Sequence, residues 1–538
     1  MLLSSPGHAR LVDTETVDWD RIRDWIRTCS TDPFHFDCRP MDLALDGFRA
    51  IDCLSGAVVP LPPGAKYAAL SYVWGPSSSS EPLLDGHRLP ATTPMAIEDA
   101  MSCATHLGFR YLWVDRYCID QASPSKHLQI HNMDIIYGCA SVTIVNAAGN
   151  DSNCGLPGVS RQARTSQESF VVSGKRFLQI PPAGTIIRDS KWASRGWTLQ
   201  EGHLSKVRLV FTPSQVFFQC RTRHSCESMA GVFKLSERTN IPYYQRSSTQ
   251  AFTHYGSYSS SKWWSVFQDL LGQYLVRSLT FDSDILVAFQ AILKSLEVSH
   301  FWGIPFRLEE QPSPETALLF RLTWFPAHEE NLPLVLRRGF PTWSWAAWKG
   351  KWLWFYEGND ERSPDVEETS VTIETKTGER YRLAEYRLIM EHTGDPDLFL
   401  PFLDVQGWTT LVQFRQENKE RAFWTTLVLD IEGRYIPTTR AQIMEVILPE
   451  EPEWDWSQVL TGTWPVLVLI EKEGDGDDAE FMVGGLVLKP CQNDSYQRIG
   501  VLQRTVMNLE RNGEDRLQLW QNYGGGILQC ERRSIRLA

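Results

Sequence analysis

The chain has no basic excess: 53 Lys and Arg stand against 65 Asp and Glu, a net charge of -12. A general nucleic-acid or anionic-membrane partner is therefore not expected, because phosphate binding needs a basic face. Long apolar runs are also missing. The stretch WPVLVLI at 464–470 is far short of the roughly 20 residues that span a bilayer. Met1-Leu2-Leu3 is followed at once by Ser, Ser, Pro, Gly and His, so no secretory leader is expected. The 11 cysteines, an odd number, form no regular framework and read as reduced thiols of a cytoplasmic protein. Cys29, His35, Cys38 and Cys53 are zinc-ligand types, but C-x5-H-x2-C-x14-C matches no zinc motif. Cys220, His224 and Cys226 lack a fourth ligand. Ordinary buried thiols, and no metal, are the expectation.

What remains is a folded chain, 42% hydrophobic and 22% charged, with 21 Trp. At 538 residues it is too long for one ordinary core. The expected division is an N-terminal helical extension (1–60), an α/β domain (61–222), a helical middle region (223–340) and a strand-rich module (341–538). Val17, Ile22, Trp25 and Ile26 have helical spacing. YAALSYV at 67–73, YLWV at 111–114 and SVTIVNA at 141–147 read as short apolar strands. Between them lie a helix capped by Thr93, with Pro94 first, and a helix over about 126–139. Residues 151–190 read as irregular. A helix follows over about 192–204, then a hairpin around Thr212-Pro213-Ser214. Two helices with a hinge at 278–283 occupy 263–296, and period-two strands appear beyond 340.

Strand, helix, strand, helix, strand with fully apolar strands predicts a parallel sheet covered on both faces. Such sheets bind ligands beyond the carboxyl ends of their strands. Here those ends carry Trp74 and Gly75, Asp115, and the run from Asn146 to Asn150.

ALSYVWG at 69–75, LWVDRYCIDQ at 112–121, MDIIY at 133–137 and RGWTLQE at 195–201 together resemble the fungal heterokaryon incompatibility (HET) domain. The resemblance is firm over roughly 67–220 and loose downstream. It implies a cytoplasmic effector of growth arrest or cell death after non-self recognition, with a TIR-like core, self-association and an unidentified protein partner. TIR domains often carry S-x-W-x-x-x-E and cleave NAD through one Glu on a helix. In this chain Ser194 precedes Arg195, Gly196 and Trp197, and Glu201 stands four residues after Trp197.

By this resemblance Glu201 is the candidate catalytic residue, while Trp74, Gly75, Asp115, Arg195 and Trp197 are candidates for holding NAD as substrate. No further cofactor is implied. A bland reading stands beside it: Thr198-Leu-Gln-Glu201 is also a capping box, and Arg195 could pair with Glu201. Asp120 and Gln121 are weaker candidates. Two functions remain open, a NAD glycohydrolase and a signalling module that works by self-association without chemistry.

Overall fold

Ile22, Trp25 and Cys29 recur at helical spacing, and helix α1 (Trp19–Thr31) buries all three. Asp18 accepts the Arg21 amide at its start. The structure, a computed structural model, describes residues 9–43, 45–75, 82–120, 126–229, 233–234, 252, 263–308, 313–326, 334–350, 352–354, 369–393, 398–416, 424–431, 434–444, 446–447, 462–473, 480–491, 494–511, 516–520 and 528–538. Gln121, named above as a weaker candidate, lies outside them. The chain packs as two compact units. One comprises Met1–Tyr258, Arg277–Thr280 and Val287–Ser295; the other comprises Ser259–Val276, Phe281–Leu286 and Leu296–Ala538.

In the first unit α1 is followed by β1 (Arg49–Asp52), β2 (Ala57–Pro60), β3 (Tyr67–Ser71), helix α2 (Met95–His106) and β4 (Tyr111–Trp113). Helix α3 (Met133–Cys139), β5 (Val142–Asn146), β6 (Ser169–Val172), β7 (Lys175–Leu178) and helix α4 (Trp197–Leu204) come next. Then follow β8 (Val207–Phe211), β9 (Val216–Cys220), β10 (Arg223–Cys226) and β11 (Phe233–Lys234). Every residue of β3, β5 and β8 is buried, as apolar strands with helices on both faces must be.

The sheet order is β11-β10-β9-β8-β5-β3-β4-β1-β2. β3 runs parallel to β4 and β5, and β5 runs parallel to β8. The three expected strands are therefore side by side and co-directional. The sheet as a whole is mixed, which corrects the expectation of a parallel one. β1 and β2 at one edge, and β9 to β11 at the other, pair antiparallel. The connections decide this: a tight turn such as the one from β8 to β9 can only reverse the chain, whereas parallel neighbours need a crossover. β8, expected only as a hairpin arm, is also the fourth parallel strand.

In chain order the parallel strands read 2-1-3-4 across β4-β3-β5-β8. The direction of winding reverses between β3 and β5, where doubly wound sheets open a crevice.

Three local expectations fail. The helix over 126–139 is two, Lys126–His131 and Met133–Cys139, separated at Asn132. Thr93 caps nothing: its hydroxyl donates to the Pro90 carbonyl at 2.7 Å, and Pro94 takes the cap position. Residues 151–190 are not wholly irregular, since β6 and β7 form an exposed hairpin and Ala183–Arg188 is a short helix.

In the second unit, helix Trp263–Leu275 is lined by Trp263, Phe267, Leu270 and Leu271. Antiparallel strands dominate the rest. Leu403–Gln416 pairs with Trp424–Ile431 at one end and with Trp464–Glu473 further back. Arg434–Met444, Ser495–Arg511 and Glu480–Pro490 complete the circuit. The pairings thus close a ring of six strands, and closure removes free sheet edges. Its apolar interior includes Trp408, Phe414, Val468 and Leu502. Among the described residues, no helix is long and apolar enough to cross a membrane.

Candidate functional site

β3 ends at Ser71, beside the last residues of β5. Ser71 is the one aliphatic hydroxyl in this buried strand, the phenol of Tyr67 at its other end donating to the Ile136 carbonyl. Its Oγ donates to Oε2 of Glu201 at 2.5 Å and accepts from the indole Nε1 of Trp192 at 2.7 Å. A serine has a single proton, so the Trp192 donor leaves that proton for the carboxylate.

Glu201 sits on α4, where Thr198, Leu199, Gln200, Gly202 and Leu204 are buried as well. A carboxylate with so little water is costly to ionise. Burial, with the negative charge of Asp115 adding to it, pushes Glu201 up to about 7. The Ser71 hydrogen bond, Arg195 and the Tyr137 hydroxyl oppose the rise.

Asp115 follows β4 at the start of the single helical turn Asp115–Cys118. It keeps some solvent exposure, although protein surrounds its carboxylate. Burial pushes it up to about 6, against the hydrogen bond from Trp74 and the charges of Arg195 and Arg116. Trp74 Nε1 donates to Asp115 Oδ2 at 2.8 Å. Arg116 donates to the Trp74 carbonyl at 3.0 Å and covers one face of its indole at 5.1 Å. The Tyr72 hydroxyl, near enough to Asp115 to be affected by its charge, is buried with no hydrogen-bond partner among the described residues.

Gly75 has φ +79°, and a Cβ placed there would lie 2.7 Å from Asp151 Cβ. Only glycine lets the chain leave β3 along this path. Arg195 is half-buried and acts on Glu201 and Asp115 as a nearby positive charge. Trp197 is half-buried one helical turn before Glu201. Asp120 is exposed.

The structure therefore brings Glu201, Asp115 and Trp74 to one end of the parallel strands. It also overturns the bland readings of Glu201. α4 begins at Trp197 with no side-chain cap, so Thr198 is already inside the helix. The Thr198 hydroxyl instead donates to the carbonyls of Trp192 and Arg195 at 2.6 and 2.8 Å. Among the described residues no ion pair joins Arg195 to Glu201. Ser71, Tyr137 and Trp192 were not among the candidate site residues of the sequence. Only Ser71 left a signal there, a polar residue inside an apolar strand.

An α/β domain with a mixed sheet, in which a buried helical carboxylate, Glu201, and a strand-end carboxylate, Asp115, lie at one end of the parallel strands, is the class this geometry defines. Residues 67–201 carry the HET domain, matching the family model described as Heterokaryon incompatibility protein (HET). The matched segment ends on Glu201 itself. No curated protein and no solved structure matches the chain. The HET domain suggests a function related to heterokaryon incompatibility.

Proposed function

We propose that the chain is a heterokaryon incompatibility effector whose HET domain cleaves NAD at the nicotinamide–ribose bond, causing growth arrest or cell death. The observation that carries this reading is Glu201: a buried carboxylate, raised to about 7, at the switch point of a 2-1-3-4 parallel strand order. That order and the helix carrying Glu201 also favour a TIR-like core. Perturbed carboxylates at such a place are functional-site candidates.

In the reaction, the C1′–N bond breaks and its electron pair goes to the nicotinamide ring nitrogen, cancelling its positive charge. Ionised Glu201 stabilises the oxocarbenium-like ribose. Water adds at C1′ and releases one proton, giving ADP-ribose and nicotinamide. Trp74 offers an aromatic face to a planar ring, Arg195 a positive charge to the pyrophosphate, and Asp115 an acceptor to a ribose hydroxyl. Trp197 offers a second aromatic surface, and the glycine path at Gly75 brings main chain close to the ligand.

A non-enzymatic signalling module that self-associates and binds a recognition partner is the second reading. One feature favours it: Glu201 is only 6% exposed and already engaged by Ser71. Expression of the full chain in yeast, wild type and Glu201→Gln, separates the two. The enzymatic reading expects NAD depletion and toxicity that are both lost in the variant. Toxicity that survives Glu201→Gln with NAD unchanged would leave the signalling module.

A further inference from the structure

Cys29 on α1, His35 and Cys38 on the 3-10 turn Pro33–Cys38, and Cys220 at the end of β9 converge. Their four ligand atoms all lie within 4.8 Å of one another, and all four residues are buried. We infer that these residues bind a structural zinc ion in a Cys3His site that fastens the N-terminal helix to the edge of the sheet.

Distances support the assignment. Zn–S bonds of about 2.3 Å and Zn–N bonds of about 2.0–2.1 Å give tetrahedral edges of roughly 3.6 Å between S and N. Cys38 Sγ and Cys220 Sγ lie 3.6 and 3.7 Å from His35 Nδ1. The amides of Thr222 and Arg223 donate to Cys220 Sγ at 3.4 and 3.2 Å, an arrangement that favours a thiolate. With Nδ1 facing the sulfurs, His35 Nε2 lies 3.9 Å from Asp32 Oδ2, and Asp32 is held by Arg223 at 3.0 Å. At that separation Asp32 is a nearby negative charge behind the imidazole rather than its hydrogen-bond acceptor. The Thr222 hydroxyl sits 3.0 Å from Nδ1, 3.1 Å from Nε2 and 3.4 Å from Cys220 Sγ, and the proposal requires it to turn aside for the ion.

Thiols buried only as apolar filler have no reason to turn three sulfur atoms toward each other and an imidazole. Four protein donors from three elements would fill the coordination of a tetrahedral zinc ion and leave no position for substrate, so the role is structural. The proposal departs from the sequence expectation of no metal. Cys53, taken there with Cys29, His35 and Cys38, is not among them, and Cys220 takes its place. His224 and Cys226, grouped with Cys220 by proximity in sequence, are not among them either. The site is also independent of the HET match, since three ligands precede residue 67 and the fourth follows residue 201.

Metal analysis of the full-length chain, purified without chelator and shown to be folded by circular dichroism, tests this. About one zinc per chain is expected. Zinc should be lost in Cys220→Ser and Cys38→Ser and kept in Cys53→Ser and Cys226→Ser. Because the ligand variants can fail to fold, the wild type is also exchanged with cobalt. Intense tetrahedral d–d bands with thiolate-to-cobalt charge transfer would support the site. Folded wild type with substoichiometric zinc, or with iron in its place, or cobalt without thiolate bands, would overturn it.

Discussion

The Ser71 hydroxyl donates to the Glu201 carboxylate at 2.5 Å, across 130 residues of sequence. This bond ties the end of the central strand to the helix that precedes the fourth parallel strand. It also explains why a charged residue is tolerated in a helix with so little contact with water: its acceptor oxygen has a donor fixed by Trp192.

Glu201 should lower stability as pH rises. Its native value, about 7, is above the ordinary 4.5, so the native state holds the proton more tightly than the unfolded chain. The group's contribution is therefore full below the unfolded value and is lost as pH rises through about 7. Glu201→Gln keeps an acceptor for Ser71 and has no proton to lose. Urea unfolding should find the variant equal to wild type at pH 5 and more stable by about 1–3 kcal/mol at pH 8. Equal stability at both values would show that the carboxylate is not desolvated.

The same proton sets a rate prediction. Stabilising a cationic ribose needs the ionised carboxylate, so nicotinamide release should rise with pH through about 7. Asp115 raises Glu201 by charge repulsion, and Asp115→Asn should move the midpoint to lower pH. A midpoint that moves upward, or a flat profile in the wild type, would contradict the roles assigned to the two acids.

Gly75→Ala meets both a positive φ and the 2.7 Å approach to Asp151 Cβ. A cost of about 1–3 kcal/mol is expected from the backbone conformation, with more if Asp151 does not yield. Thermal unfolding measures it. A neutral substitution would mean that the chain leaves β3 along a different path.

Arg164 and Glu227 form a buried pair at 3.1 Å. Arg164 also holds the N-terminal segment, through the Asp13 carbonyl by its side chain and the Thr14 carbonyl by its amide. Arg164→Ala leaves a buried carboxylate without its cation, which costs about 3–5 kcal/mol. Limited proteolysis should then cut earlier within residues 9–18. Unchanged stability would show that the pair is solvated.

Much of the architecture was legible because it is local. Apolar runs of strand length, helical spacing in α1 and polar residues at the strand ends all follow from the side chains in order. The candidate residues Trp74, Asp115 and Glu201 were found through motifs that remain contiguous in the chain. The caps at Thr93 and Thr198 were misread because a cap pattern competes with any other partner that folding brings near. Trp192 became such a partner for Thr198, and Pro90 for Thr93.

Order along the chain, then, determined which segments become strands and helices, and that one acid, Asp115, stands at a strand end. Tertiary structure alone decided that β8 joins the parallel set, that Ser71 meets Glu201, and that Cys220 rather than Cys53 completes the cysteine–histidine cluster. The reason is physical: periodicity reports a residue's own surroundings within a turn or a pleat. Partners across a sheet are chosen by register and burial among segments far apart in sequence.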